Sequence, residues 1–410
     1  MKQILIIIIT LIIVQLNAQN ITNYNTNDGL IGNMINCVAI AEGTNDVWVA
    51  TNSGVSKFNG STWVNYTTTD GIVDNDVKTI TEASGNIWIG TDFGVSKFDG
   101  TNWTTYTTSD GLALDKVAHI AQSPTGDLWF SHSSFSAGVS VLESGGSWNI
   151  YSYPDLPMSG VCAVSFDNTP NGGVWLASPL DGVLHFDYNT FTQYTSNSHG
   201  LINNFSSSIL VDNPYTLVGT NGGMSVINFI NDTVANYTQM YLLPPPDTLN
   251  EVQAITQDSH GGIWVAIYVG YLNVGGVAYN NGSQWVNFDV ADGLAGPYVR
   301  SIVADEQDNI WVGTSTGLSK ISGIFSSSGE LEIHDRVNIF PNPTNGVLSF
   351  RANKSIHSIR ISDLFGRTVL NSFAVSASNI TIDISTLSRG IYISEIKTLE
   401  GTYKEKIILK

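Results

Sequence analysis

Carboxylates dominate the side chains of this chain that could do chemistry. Between Gln19 and Glu330 the sequence holds 28 Asp and Glu against 6 Lys and Arg, a balance of −22, whereas from Leu331 to Lys410 the counts are 7 and 10. Two carboxylates held about 5 to 9.5 Å apart suffice to hydrolyse a glycosidic bond, so that chemistry stays open on numbers alone. Asp70, Asp110 and Asp292, however, each precede a glycine in a recurring turn, where a short acid readily bonds its own loop. The histidines, His119, His132, His185, His199, His260, His334 and His357, show no pair at zinc-ligand spacing and no HExxH. Neither a phosphate-cradling glycine loop nor a G-x-S-x-G nucleophile turn occurs. No Asp-rich stretch has the spacing of a calcium loop, so no metal and no cofactor is expected. The reading favours a protein without catalysis, with a polysaccharide hydrolase or lyase as the alternative. The acidic balance of the larger part argues against nucleic acid and anionic lipid as partners.

The compartment follows from the first residues. After Met1 and Lys2 an apolar run from Ile4 to Val14 leads to Leu16-Asn17-Ala18, the pattern of a signal peptide over residues 1–18. That run is too short to span a bilayer, which needs about 20 apolar residues. Gln19, not cysteine, follows the cut, which argues against a lipoprotein. No later segment reads as a transmembrane helix, so a soluble mature chain is expected.

The elements that must position any site are repeats. VWVAT from Val47, IWIGT from Ile87, LWFSH from Leu128, VWLAS from Val174, TLVGT from Thr216, IWVAI from Ile263 and IWVGT from Ile310 align. Trp48, Trp88, Trp129, Trp175, Leu217, Trp264 and Trp311 then share one column, at spacings of 40, 41, 46, 42, 47 and 47. That period is one four-stranded blade of a β-propeller. Each unit alternates short β-branched or aromatic runs with Gly, Asn or Asp turns. The last unit supplies three strands only. ITNYNTNDGL from Ile21 has the form of WVNYTTTDGI from Trp63, so the N-terminal strand is expected to complete the seventh blade and close the ring over residues 19–322. The Trp column, set at strand centres, reads as packing between blades and not as a sugar platform. Cys37 and Cys162 fall in equivalent strands of repeats one and four, nearly opposite in a seven-membered ring, so two buried free thiols are expected. Lys57, Lys97 and Lys320 share another column, read as a snorkelling position.

After Gly323 the chain turns Ser-rich and polar, a linker over residues 323–336. From about Val337 the runs VNIFPNPTNGVLSF, IHSIRISDLFGRTV, ITIDISTLSRGIYISEIKT and YKEKIILK alternate between turn residues. They read as a small Ig-like β-sandwich over residues 337–410.

Both parts resemble known families. The unit form G-N-I-W-I-G-T, G-V-S-K-F-D-G, W-x-x-Y-T-x-x-D-G-L is similar to two-component regulator propeller repeats, which implies a ring of the kind that forms the periplasmic sensing part of hybrid histidine kinases and is associated with glycans. Departures are largest in blades three to six. Pro341-Asn342-Pro343 with Gly346, Asp363-Leu364-Phe365-Gly366, Gly390-Ile391-Tyr392, and Lys406 with Lys410 resemble the type A sorting domain of the Por, or type IX, secretion system. That resemblance implies the type IX machinery as a partner and secretion or attachment at the outer surface.

In such a meander, the turns between second and third strands and the connections between blades emerge on one face. The longer insertions favour that face, among them His132-Ser133-Ser134-Phe135 and the Pro-rich LLPPPDTLN before blade six. A glycan or peptide site is expected at its mouth, with Phe93, Phe135, Tyr268 and Tyr271 stacking and Asp92 and His132 making polar contacts. The same aromatics would otherwise pack under their own loops. Sialidase-like chemistry is excluded, since a clamp of three arginines is needed and this ring has only Arg300. A structural adhesin remains the third reading.

Overall fold

The computed structural model describes residues 20–410 apart from 168–171, 230, 242–249, 281–284, 324–337, 341, 343, 345, 364–366 and 399–401. The leader and nearly all of the expected linker lie outside the described residues. The chain forms two compact units, Met1–Phe325 and Ser326–Lys410.

Among the described residues the first unit is seven four-stranded antiparallel sheets. Blade two is typical, a meander of Thr79–Ala83, Asn86–Gly90, Val95–Phe98 and Trp103–Tyr106. The first strand of every blade touches the first strands of both neighbours, so the inner strands make an unbroken ring. Blade seven takes its outer strand from the other end of the sequence. Asn20–Tyr24 pairs antiparallel with Leu318–Ser322, placing Ile21 opposite Ile321 and Tyr24 opposite Leu318. The closure expected from the repeats is therefore present.

Burial explains why the strands look different in sequence. Second strands such as VWVAT and IWVGT are buried at every residue and show no alternation, because a neighbouring blade covers each face. Outer strands such as WTTY keep their middle residues exposed. Tight turns demand glycine: Gly94 has φ +130°, and a Cβ there would sit 2.6 Å from the Tyr106 carbonyl oxygen.

The Trp column is buried in all its members, Leu217 included. Each ring spans a joint. Trp48 stacks on Tyr66 of its own blade at 5.7 Å and meets Phe98 of the next at 5.8 Å. Trp88 does the same with Tyr106 and Phe130. The lysine column has a partner in the same rings: Lys57, Lys97 and Lys320 lie over Trp48, Trp88 and Trp311 at 5.4, 5.4 and 5.2 Å. Their stems cover the indoles and their charges meet the ring faces.

The second unit is a five-stranded network with one core. Val347–Asp363 and Thr368–Asp383 are long strands that shift register along their pairing, between Arg351 and Ile356. Leu348, Phe350 and Ile382 from one end and Ile359, Ile361 and Ile396 from the other share the same core.

Trp88→Ala should lower the unfolding free energy by roughly 3 to 5 kcal/mol, read as an earlier denaturant midpoint with an unchanged slope. A variant that melts with the parent would remove the packing role.

Candidate functional site

Chain direction gives the ring two unlike faces. Turns between second and third strands and the blade-to-blade connections form the upper face; the remaining turns form the lower. On the upper face the recurring acids are spent on their own loops. The N–H groups of Thr67, Thr107 and Asp289 donate to the carboxylates of Asp70, Asp110 and Asp292 at 2.8, 2.8 and 3.0 Å. The apolar residue two positions after each acid, Ile72, Leu112 or Leu294, is buried. The next N–H, from Val73, Ala113 or Ala295, donates to Ser96, Ser140 or Ser319 at 2.8 to 2.9 Å. These serines lie on the third strand of the blade that the connection leads into, so each connection is pinned to its blade. Sequence reasoning missed this bond, although the serine recurs two residues after the glycine that opens the third strand.

His132 is part of the same framework and not of a surface site. It stands three residues after Trp129, where Thr91 and Thr314 stand after their tryptophans, and it is wholly buried. Its Nδ1 lies 2.9 Å from the Lys116 carbonyl and its Nε2 2.8 Å from the Ser140 hydroxyl. A carbonyl only accepts, so Nδ1 donates and Nε2 accepts. Burial pushes the pKa down and keeps the ring neutral.

The aromatics reach the surface. Phe93, Phe135 and Tyr271 are 64, 80 and 63% exposed, and Tyr153, Leu180 and Phe205 also stand exposed in upper turns and connections. Among the described residues, Tyr188 is the only exposed large apolar side chain in a lower turn. Lower turns are instead tied to one another: Gln122 donates to Ser84, Gln257 to Asp212, and Ser259 to Asp308 across neighbouring blades. The Ser259, His260 and Asp308 cluster is one of these ties. Its hydroxyl donates to the carboxylate directly at 2.7 Å, so it is not a nucleophile relay.

The five other expected ligand residues fall into two groups. Asp92, Phe93 and Phe135 belong to adjacent blades two and three, with Asp92 lying 3.9 Å from Lys116. Tyr268 and Tyr271 belong to blade six, on the opposite side of the ring. Tyr268 stacks on Tyr298 at 4.0 Å and donates its hydroxyl to Asn273 at 3.1 Å.

Between the groups runs a central cavity of about 550 Å³, to which every blade contributes its inner strand. The upper ends of these strands are bulged in blades one, five, six and seven, where Asn36, Ser207, Gln253 and Arg300 fall out of register. A bulge re-aims the side chain it carries, and all four line the cavity. Arg300 donates from Nη1 to Asn36 Oδ1 at 2.7 Å, and its guanidinium lies 4.5 Å from the Tyr298 ring centre. Asn36 in turn donates to the Val77 carbonyl at 2.7 Å, and Lys78 pairs with Asp76. Arg300, Tyr298 and Asn36 were not expected at the site. The signal for them was the ring's single arginine, standing at the head of an inner strand.

Deeper in the cavity the chemistry is quiet. Cys37 and Cys162 are free, as expected, and burial raises both pKa values, that of Cys162 to about 12. Such thiols do not act as nucleophiles at neutral pH. Burial lowers the pKa of His119 to about 4. The unfolded chain takes up this proton below about pH 6.5 and the folded ring does not, so stability falls from pH 6.5 towards 4 and then levels. His132 and His185, also lowered by burial, act in the same direction. His119→Gln should flatten this acid limb by at most about 3 kcal/mol, less where cavity water reaches the ring. Denaturant melts at pH 7.5, 5.5 and 4.5 read the effect, and parallel curves would remove it.

Residues 338–410 match the family described as secretion system C-terminal sorting domain, and residues 293–316, which hold the first two strands of blade seven, match the two component regulator propeller. No curated protein matches the chain. Among solved structures it is similar to PorZ, a surface component of the type-IX secretion system of Porphyromonas gingivalis, with TM-score 0.57 and 16% identity over 93% of this chain and 60% of that one. It is similar also to the extracellular domain BT3049 of B. thetaiotaomicron, described as part of a hybrid two component system, with TM-score 0.62 and 18% identity over 95% and 60%. A streptogramin B lyase aligns at TM-score 0.56 and 14% identity over 74% of this chain and 97% of its own. The chain thus spans about 60% of the length of the first two, and at these identities the likeness is one of fold. This protein thus joins a seven-bladed propeller, with a two component regulator propeller match in its last blade, to a C-terminal secretion-system sorting domain that marks it for export to the cell surface or out of the cell.

Proposed function

We propose that the ring is a non-catalytic binding module that holds an extracellular glycan on its upper face. One observation carries the reading: exposed aromatic and apolar side chains gather on the upper turns while the lower turns are bonded to one another. Such rings lie flat against sugar faces at little entropic cost, because few torsions are frozen. The recurring acids, which a hydrolase would need free, are bound to their own loops.

The segment assignments are part of the proposal: a leader over 1–18, the ring over 19–322, a linker over 323–336 and a tag over 337–410 read by the secretion machinery. Several tag residues hold its turns. Asn342 Oδ1 accepts from Ile408 N at 2.9 Å, Gly346 donates its N–H to the Thr344 hydroxyl at 3.0 Å, and Asp363 binds Arg367 Nε at 2.7 Å. The Tyr392 hydroxyl donates to the Ser388 carbonyl, Gly390 opens the strand paired with Leu409, and the Lys410 N–H donates to the Thr344 carbonyl. Lys406 lies in the closing strand opposite Ile393. Pro341, Pro343 and Gly366 lie outside the described residues. The motif on this reading specifies a folded shape for the machinery to grip.

A glycan array tests the binding reading. Tyr268→Ala with Tyr271→Ala, or Phe93→Ala with Phe135→Ala, should weaken binding by about tenfold, the worth of one to two stacked rings. Binding unchanged by both pairs would reject the upper-face site. A tag shortened by its last strand should leave the chain in the periplasm, read by fractionation; surface display of that variant would remove the sorting role.

A further inference from the structure

We propose that the upper mouth of the central cavity, at the joint of blades six, seven and one, binds the carboxylate of an acidic sugar, with Arg300 as its anchor. This inference rests on the glycan reading and narrows it to a class of ligand.

Arg300 is held in place without its charge being answered. Its guanidinium plane is fixed by Tyr298 on one face, at 4.5 Å, and by the Asn36 side-chain oxygen at one edge, at 2.7 Å. Asn36 is itself oriented by the Val77 carbonyl and Asp76, at 2.7 and 3.4 Å. Of the five N–H donors of the guanidinium, only the one on Nη1 has a protein acceptor among the described residues, and Nε is buried without one. Arg300 makes no ion pair among the described residues, whereas Lys57 and Lys78 are paired with Asp46 and Asp76. Lys97 and Lys320 also make no ion pair among the described residues, but each lies over a tryptophan of its own blade; of the two cations that line the cavity, Lys78 is paired and Arg300 is not. An arginine kept for packing alone would have its donors met, because buried donors without partners cost stability.

The surroundings select the anion. The fork of a guanidinium matches a planar carboxylate through two parallel hydrogen bonds. Tyr268, stacked on Tyr298 at 4.0 Å, lies beside it as a flat apolar surface. A pyranose with a carboxylate would set its acid on the open edge of the Arg300 guanidinium and its ring against the edge of the stacked tyrosines. The bulge between Val299 and Ser301 leaves Arg300 out of the ladder and turns it toward the cavity, as the equivalent bulges do Asn36, Ser207 and Gln253.

The test compares free acids with their methyl esters, which keep the sugar and remove the charge. Oligogalacturonate, a hyaluronan fragment and sialyllactose are titrated calorimetrically into the full chain, each against its ester. At least one free acid should bind ten times more tightly than its ester, and this margin should shrink with added salt. Arg300→Gln should abolish the margin, and Arg300→Lys should restore part of it, since an ammonium supplies charge without the fork. The ester comparison on the parent chain needs no variant, so misfolding of a substituted protein leaves the outcome readable. Equal binding of acids and esters, with the aromatic substitutions still harmful, overturns this inference and leaves the glycan reading standing. Binding to none of the probes in either form overturns both.

Discussion

Everything in the ring depends on one strand pairing across nearly the whole length of its sequence. Asn20–Tyr24 closes blade seven, and Tyr24 sits in the resulting joint against Trp311, Phe58 and Trp63 at 5.8, 5.3 and 5.7 Å. A blade alone cannot bury its tryptophan, because an aromatic ring of the following blade packs against it. With one joint open, two apolar sheet faces and a sheet edge would meet water together. Closure therefore stabilises all seven joints at once, and Asn23 adds a polar tie, accepting from Ser319 at 2.7 Å.

A closed ring can leave its upper loops unencumbered. The lower turns bond across blades, and the blade connections are pinned by buried serines. The framework thus holds its shape without using the tips of the upper turns. Phe93, Phe135 and Tyr271 can then face water at little structural consequence, which is the condition under which loop residues carry recognition. The inner-strand bulges extend the same division of labour into the cavity mouth, where the ladder gives up one pairing to aim Asn36 and Arg300.

The fold was legible because its strongest residues recur at a fixed period. Tryptophan stands out in any alignment, and ITNYNTNDGL repeats a form already seen in complete blades, so closure could be read from Tyr24 and its neighbours. Position around the ring was less accessible. Blade order tells which residues share a face, and only the count of joints between them shows that Phe135 and Tyr268 lie on opposite sides. His132 misled because it sits beside an insertion, while its place three residues after Trp129 makes it a buried stand-in for threonine. Arg300 entered the sequence reading only as one arginine where three were required. In the second unit, the shift of register after Arg351 was not legible, because alternation continues on either side of it.

The ring's acidity and a cationic mouth are compatible because they act over different distances. At physiological ionic strength charges separated by more than about 8 Å are largely screened. The 28 acids, spread along the sequence of the ring, therefore set solubility and a general repulsion of polyanions more than they set the potential at the mouth. Close to Arg300 the local terms govern: a guanidinium fixed by Tyr298 and Asn36, and an acid on the same network, Asp76, already engaged by Lys78 and Asn36. An acidic polymer of high charge density would be held off by the surface at large, whereas a single acid at the end of a chain meets mainly the local field. The same arrangement that keeps the ring from clinging to any anion thus gives it a means of choosing one.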